Sequence, residues 1–511
     1  MLANFLLLMR HRIIAVGNGP LSFTAWPSMA DSHATIALIL IFGVSWISHL
    51  MSVALTVPMD NIEQLVWSRS LEWGYYKHPP LPTWLLSVPL RWSGPSAMVT
   101  AILGAVCTLT SLLIFTRLVQ SIWGHRTGWL ALLAALCITF YNGRLNYYNH
   151  NTTLMLCVSL SALCWWQILQ TGRTRWWIGL GISAGLGMLS KYQYALVVIP
   201  SLFLIWQSRV WRDPQQLRAL GWAVLTASLI FLPHLLWLLQ QDLSDSPIRY
   251  ALQTSLPSNP DIPTPNQQRL RSGIWLLDLL FNRCLPALIF LAGIKLLSQR
   301  ETREQPKAKE TGDTRRISGT TFLLAWGALP VLCITFLGLS LGMDLQMQWG
   351  TAFAIWCIPH FMWALGLNRA ELPASRTVWA LCFFAVLQVG LMIQSYETSA
   401  KGCCAKPSRW RTFDSQTLAR ELDDSARSAV GGHFSIISGP STVAGAIALH
   451  LPEHPKVLIN HNLRISPWVK EHELLESGVV EIWPPETGPH ELTRLPSGWG
   501  WRLPPTEPVF P

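Results

Sequence analysis

Runs of apolar residues close to the length of a bilayer crossing recur along most of this chain, and no other feature restricts its fold as much. The hydrocarbon core of a membrane is about 30 Å thick, which an α-helix crosses in about 20 residues. About eleven such runs are read, roughly over 35–58, 96–118, 128–141, 152–170, 176–190, 194–207, 219–239, 274–297, 320–341, 350–367 and 377–395. A shorter apolar segment, 82–93, leads into the second. Pro200, Pro233 and Pro286 interrupt three of the runs. Only 13% of the 511 residues are charged, about half of the 25% usual in a soluble protein. The 27 tryptophans suit headgroup-level anchoring as well as packing between helices. The expected fold is a polytopic α-helical membrane protein.

A formal charge of +10 could point to nucleic acid, but the basic residues fall mainly in short loops between apolar runs. Topology control accounts for them, and no nucleic-acid partner is expected. With the N-terminus in the cytoplasm, the inside loops hold about seventeen Lys and Arg and the outside loops about eight, the sign that the positive-inside rule requires. An odd number of spans then puts the C-terminus outside. Near the start, Arg10 and Arg12 follow a short apolar run instead of preceding it, so a cleavable signal is not expected.

Most cysteines lie within apolar runs and read as small hydrophobes. Cys403 and Cys404 stand outside them, adjacent in a way that rarely meets disulfide geometry, so neither a bridge, a metal site nor a redox role is inferred.

The outside loops 59–81 and 240–273 are long, and the inside segment 298–318 reads as a polar linker. Residues 1–395 form the membrane domain. From 396 to 511 the pattern changes: HFSIIS, PKVLIN and VVEIW are short β-type runs, with helical patterns in STVAGAIALHL and PWVKEHELLESG. Such alternation suggests a small α/β domain on the outer face, with an irregular tail over 495–511. No internal repeat is evident.

On this topology the polar outliers gather on one side. Asp60, Glu63, Tyr75, Tyr76, Lys77 and His78 occupy the first outside loop. Asn146, Asn149, His150 and Asn151 precede the fourth span, Lys191 and Tyr192 fall in a tight turn, and Arg269 and Arg271 end the long outside loop. Asp344, Gln346 and Gln348 precede the tenth span. Loops presenting carboxylate, cations and amides to one surface suggest a cavity. Cations at headgroup depth can hold a phosphate and stabilise it as a leaving group, while a carboxylate can deprotonate an acceptor hydroxyl. By charge type alone, the same set fits a transporter or flippase of a lipid-linked sugar. That reading predicts inverted repeats and ionisable residues at mid-span, where only Asp278 and Arg283 approach the pattern.

The stretch from Asp60 to Leu86 resembles the first luminal loop of the GT-C membrane glycosyltransferases. The resemblance is to glycosyltransferase family 39, which includes protein O-mannosyltransferases and the bacterial aminoarabinose transferases of lipid A. The matching residues are Asp60, Trp67-Ser68 and Gly74-Tyr75-Tyr76-Lys77-His78-Pro79-Pro80-Leu81. NHNTTLMLCVSL from Asn149, GLGMLSKYQYALVVIP around Lys191, QWGTAFAIWCIP around Trp349 and the C-terminal GPSTVAGAIALHLPEHPKVLIN are similar to further family segments. The chain departs from the pattern at Asn61, where Glu is usual, at Asn151, where Asp is frequent, and at Gln348, where a basic residue is usual.

The resemblance implies an inverting glycosyltransferase with a polyprenyl (undecaprenyl) monophosphate sugar as donor and a periplasmic acceptor, lipid A or another glycan, protein or lipid. It would lie in a bacterial inner membrane. It points to Asp60 as the catalytic carboxylate and to Lys77, His78, Lys191, Arg269 and Arg271 for the donor phosphate. Tyr75, Tyr76, Asn151, Tyr192 and Trp349 are expected to line the sugar or lipid pocket. No cofactor is expected, and the departures at Asn61 and Asn151 count against a divalent-metal site.

Overall fold

The computed structural model describes residues 29–241, 246–255, 264–298, 317–368, 374–406, 409–475 and 478–504, apart from 486 and 490. The expectations about the N-terminal run, most of the linker, the proline-rich middle of 240–273 and the end of the tail lie outside these residues.

In chain order the membrane part comprises α1 (Met29–Val53), α2 (Met59–Trp67), α3 (Leu81–Ser93), α4 (Ala97–Trp123), α5 (His125–Leu136), α6 (His150–Thr171) and α7 (Thr174–Ser190). It continues with α8 (Val198–Ser208), α9 (Pro214–Gln240), α10 (Pro247–Ser255), α11 (Pro265–Asp278), α12 (Leu285–Ser298), α13 (Gly319–Leu341), α14 (Thr351–Ala354), α15 (Cys357–Ala364) and α16 (Ala374–Glu397).

Among the described residues, six helices are long and apolar enough to cross a membrane, namely α4, α6, α9, α13 and the greater part of α1 and α16. The helices Asn266–Arg283 and Leu285–Leu296, bent by 52° where they meet, are long and apolar enough together to count as a seventh if they form one broken span rather than a re-entrant loop. At the other four expected spans the helices are shorter: α5, α7, α8 after a 3-10 turn, and α14 with α15. These four are also short as apolar runs in the sequence, and packing makes short helices sufficient. Where helices touch over small residues, less apolar length is needed to fix them in place. Gly181 and Gly185, one turn apart on α7, let α9 approach so closely that an added Cβ would lie 2.4 Å from the Ala223 carbonyl oxygen and 2.7 Å from Ile230.

Two helices, α10 and α11, occupy parts of the stretch expected to be an outside loop. Pro247 and Pro265 stand at their first positions, where a missing N–H costs nothing. Thr264 and Gln267 close the start of α11 as a capping box.

The C-terminal part holds α17 (Ser415–Ala426), α18 (Ser441–His450) and a five-stranded sheet of order β2-β1-β3-β5-β4. Its strands are β1 (Ile436–Gly439), β2 (Lys456–Ile459), β3 (Val479–Trp483), β4 (Thr493–Arg494) and β5 (Gly500–Arg502). β1 pairs in parallel with β2 and β3, Ile436 facing Lys456 and Val479, while β5 runs antiparallel to β3 and β4. The three expected β-type runs are strands. Two expectations change. The PWVKEHELLESG segment forms a 3-10 turn over Glu471–Leu475 in place of a helix, and the tail contributes β5, pinned to β3 by an Arg502–Glu481 ion pair at 2.6 Å.

This unit is fused to the membrane part through α2. Ile62, Val66, Trp67 and Tyr75 share one apolar cluster with the sheet and α18. Burying Ile62 and Val66 contributes about 1.5–3 kcal/mol each. Gly445 of α18 makes the contact possible, since a Cβ there would lie 2.6 Å from Ile62 and 2.8 Å from Val66.

Candidate active site

A cavity of about 730 Å³ opens where α2, the loop after it, the start of α6, the 191–196 turn, α10, the 343–349 segment and the start of α18 converge. Asp60, Glu63, Lys77, His78, His150, Asn151, Lys191, Tyr192, Gln348 and Trp349 line it beside apolar Ala195, Leu196, Ile334, Leu337 and Met343.

Asp60 and Glu63 lie one turn apart on α2, so both face the cavity. The orientation of Asp60 is set by a helix cap. Asn149 caps α6, its Oδ1 accepting from the backbone N–H groups of Asn151 and Thr152 at 2.9 and 3.1 Å. That leaves Asn149 Nδ2 to donate to Asp60 Oδ2 at 2.6 Å. Asn61, on the other face of α2, points away from the cavity. Its Nδ2 donates to Thr100 Oγ1 and the Asn146 carbonyl at 2.9 and 2.8 Å, and its Oδ1 accepts from Tyr148 N at 2.8 Å. With every hydrogen-bonding group of its amide partnered and no exposure, Asn61 fastens α2 to its neighbours.

Lys191 sits in an extended residue between α7 and the 3-10 turn at Tyr192–Val197. Its ammonium donates to Asn151 Oδ1 at 2.8 Å and lies 5.3 Å from the centre of the Trp349 ring. Burial pushes its pKa down to about 7, against the attraction of Asp60. The amide at position 151 matters here, because a neutral partner cannot restore the charge.

Lys77 makes an ion pair with Glu63, which also accepts from Ser441 Oγ at 3.1 Å. Burial works against charge on Lys77, but the Glu63 carboxylate outweighs it and holds the ammonium well above its ordinary range. Burial pushes the Glu63 carboxyl up while Lys77 pulls it back. The His78 and His150 rings lie with centres 3.5 Å apart and planes tilted by 35°. Burial first, then His150, Lys191 and Lys77, keep the His78 imidazole neutral. It can therefore donate a hydrogen bond to an anion without adding a charge. Two buried polar atoms in the wall, His150 Nδ1 and Gln193 Oε1, make no hydrogen bond among the described residues.

The structure thus brings Asp60, Lys77, His78, Asn151, Lys191, Tyr192 and Trp349 to one cavity. Four expected residues fall elsewhere. Tyr75 lies behind the wall, stacked on Trp67 at 5.0 Å, with its hydroxyl donating to the Ser70 carbonyl at 2.7 Å. Tyr76 packs edge-on against Trp67 and does not itself line the cavity, but its ring lies 5.3 Å from the ammonium of Lys77, which does. Arg269 and Arg271 are exposed on α11, which turns Gln268, Ser272 and Trp275 inward instead. Sequence reasoning missed Tyr250, whose ring lies 5.5 Å from the Lys77 ammonium, and Ser441, which belongs to the C-terminal unit. It also gave no site role to Asn149 or Glu63.

Among the described residues, one group of three potential metal ligands lies outside this cavity. Glu397 joins Cys403 and Cys404, with ligand atoms within 4.8 Å of one another. The adjacent cysteines gave no hint of the glutamate that folding brings to them.

With the geometry in place, likenesses to known proteins can be stated. Residues 77–237 match the family model described as dolichyl-phosphate-mannose-protein mannosyltransferase. The chain is 24% identical over 448 residues to the lipopolysaccharide core galacturonosyltransferase RgtA of Rhizobium johnstonii, covering 84% of this chain and 82% of that protein. It is 25% identical over 347 residues to undecaprenyl phosphate-alpha-4-amino-4-deoxy-L-arabinose arabinosyl transferase 2 of Pseudomonas fluorescens, covering 63% of this chain and 55% of that one. The crystal structure of ArnT from Cupriavidus metallidurans bound to undecaprenyl phosphate superposes with a TM-score of 0.61 over 93% of this chain and 98% of that one, at 12% identity. Both relatives are named as transferases.

Proposed function

We propose that the chain is a membrane glycosyltransferase of the GT-C superfamily and that it moves a sugar, with inversion, from an undecaprenyl monophosphate donor to an acceptor on the periplasmic face of a bacterial inner membrane. The observation that carries this reading is one cavity holding a capped carboxylate, Asp60, opposite a buried cation, Lys191, beside an apolar wall. The apolar residues suit the first isoprene units of a lipid tail. Lys191, with His78 as a neutral donor and Lys77 nearby, suits the phosphate.

The chemistry is a single displacement at the anomeric carbon. The acceptor hydroxyl attacks from the face opposite the phosphate as Asp60 takes its proton. The bond from C1 to the phosphate oxygen breaks, and undecaprenyl phosphate leaves with the bonding electron pair, its charge met by Lys191. Asn149 fixes Asp60 and leaves its second oxygen for the acceptor.

Transfer by full-length protein in proteoliposomes, supplied with undecaprenyl phosphate carrying radiolabelled galacturonate or 4-amino-4-deoxy-L-arabinose, tests the reading. Asp60→Asn should lower turnover by about 10²–10⁴-fold, the usual contribution of a general base. Undiminished transfer removes Asp60 from the mechanism.

The excess of basic residues in alternate loops supports a periplasmic site. Cys403 and Cys404, exposed beyond the last span, provide a natural probe. A membrane-impermeant maleimide should label them in intact spheroplasts. Labelling seen only after lysis would reverse the orientation.

A further inference from the structure

On the side of Asp60 away from the donor cavity lies a second cavity of about 450 Å³, lined by four arginines, Arg144, Arg283, Arg409 and Arg411. Among the described residues no carboxylate lines it. Arg283 has an acidic partner, Asp278, at 3.2 Å, whereas Arg144, Arg409 and Arg411 have none among the described residues. Gathering three like charges without a counter-ion is costly unless an anion meets them.

The cluster is held by the fold. Trp410 Nε1 donates to the Val57 carbonyl at 2.7 Å, the Arg411 carbonyl accepts from Leu55 N at 3.3 Å, and Arg411 Nη1 donates to Thr398 Oγ1 at 3.3 Å. Burial, followed by the like charges of Arg409 and Arg144, works against the Arg411 guanidinium.

A third, smaller cavity of about 210 Å³ links the two. It shares Arg144, Tyr147 and Trp410 with the arginine cavity and Met59, Asp60 and Gln348 with the donor cavity. Asp60 therefore stands between a space suited to the donor and a space suited to an anion.

The geometry points to the arginine cavity as a binding site for a phosphate or carboxylate group of the acceptor, placed so that a hydroxyl of the same molecule reaches Asp60. Calling the anion part of the acceptor rests on the transferase reading; the anion site itself does not. Guanidinium forks match both oxyanions bidentately. Leu50, Val53 and Ala54 at the end of α1 also line the cavity, so an anion borne by a lipid can enter at the membrane boundary.

The test uses the full chain in neutral detergent with the donor cavity filled by undecaprenyl phosphate. Binding of tritiated dioctanoyl phosphatidic acid is compared with that of uncharged dioctanoylglycerol and with competition by inorganic phosphate. The expected result is saturable binding of the phosphatidic acid, weak binding of the diacylglycerol, and a loss of about tenfold or more in Arg144→Gln/Arg411→Gln, the scale of one lost charge-assisted contact. Arg144→Lys/Arg411→Lys should recover part of it. The exposed Arg409→Gln gives a single substitution to fall back on if the double variant is not monodisperse. Equal binding by the Gln variants, or equal binding of the diacylglycerol, overturns the proposal. Full competition by inorganic phosphate supports the anion site with a soluble source in place of a lipid headgroup. Failure of wild-type protein to bind undecaprenyl phosphate, with arginine-dependent phosphatidic acid binding intact, sinks the donor reading and leaves the anion site standing.

Discussion

In the donor cavity the Lys191 ammonium donates to a neutral amide, Asn151, in place of a carboxylate. With its pKa pushed down to about 7, the empty enzyme loses this cation as pH rises through neutrality. A bound phosphate favours the protonated form, so donor capture takes up a proton above that point. The donor kcat/KM should therefore fall as pH rises past about 7, approaching tenfold per pH unit. Asn151→Asp supplies the missing counter-charge and should move this alkaline limb upward by about 1–3 pH units. Profiles of donor kcat/KM for the two proteins decide the matter, and superimposable limbs would exclude Lys191 as the titrating group. Asp60 and Lys191 were legible in the sequence because a carboxylate and a lysine flanked by membrane spans are rare enough to be informative. The Glu63–Ser441 contact was not, since its partners are 378 residues apart. Tyr75 and Tyr76 misled because an aromatic pair beside a charged loop suits a pocket wall and a packed support equally well.

Among the elements, α18 ties the C-terminal unit to the chemistry. It packs on α2 through Gly445 and carries Ser441 to Glu63, on the helix that also presents Asp60. Gly445→Val should cost about 1–3 kcal/mol by overpacking and lower transfer by tilting α2, while a valine at the exposed Gly221 of α9, where an added Cβ meets nothing within 4 Å, serves as control. Thermal unfolding and turnover measured together check this, and unchanged turnover would show that α18 only rests on the site. Periodicity made α18, β1, β2 and β3 readable. A three-residue strand such as β5 carries no period, and α10 and α11 were hidden because proline at a helix start looks the same as proline in a loop.

At the scale of the molecule, hydropathy made the membrane class plain, while the number of full crossings depended on packing that hydropathy does not record. The arrangement of cavities was not legible at all, because the arginines at 144, 283, 409 and 411 come from segments far apart in the chain. Their placement bears on enzyme kinetics. If donor and anionic acceptor enter separate spaces joined past Asp60 by the small linking cavity, neither needs to leave before the other arrives. Initial rates at varied donor and acceptor should give intersecting double-reciprocal lines, with undecaprenyl phosphate competing against the donor but not the acceptor. Parallel lines would mean a sugar parked on the protein and a double displacement. A residue standing between two such cavities would make the order of substrate arrival a matter of concentration, leaving the membrane's supply of either substrate free to set the rate.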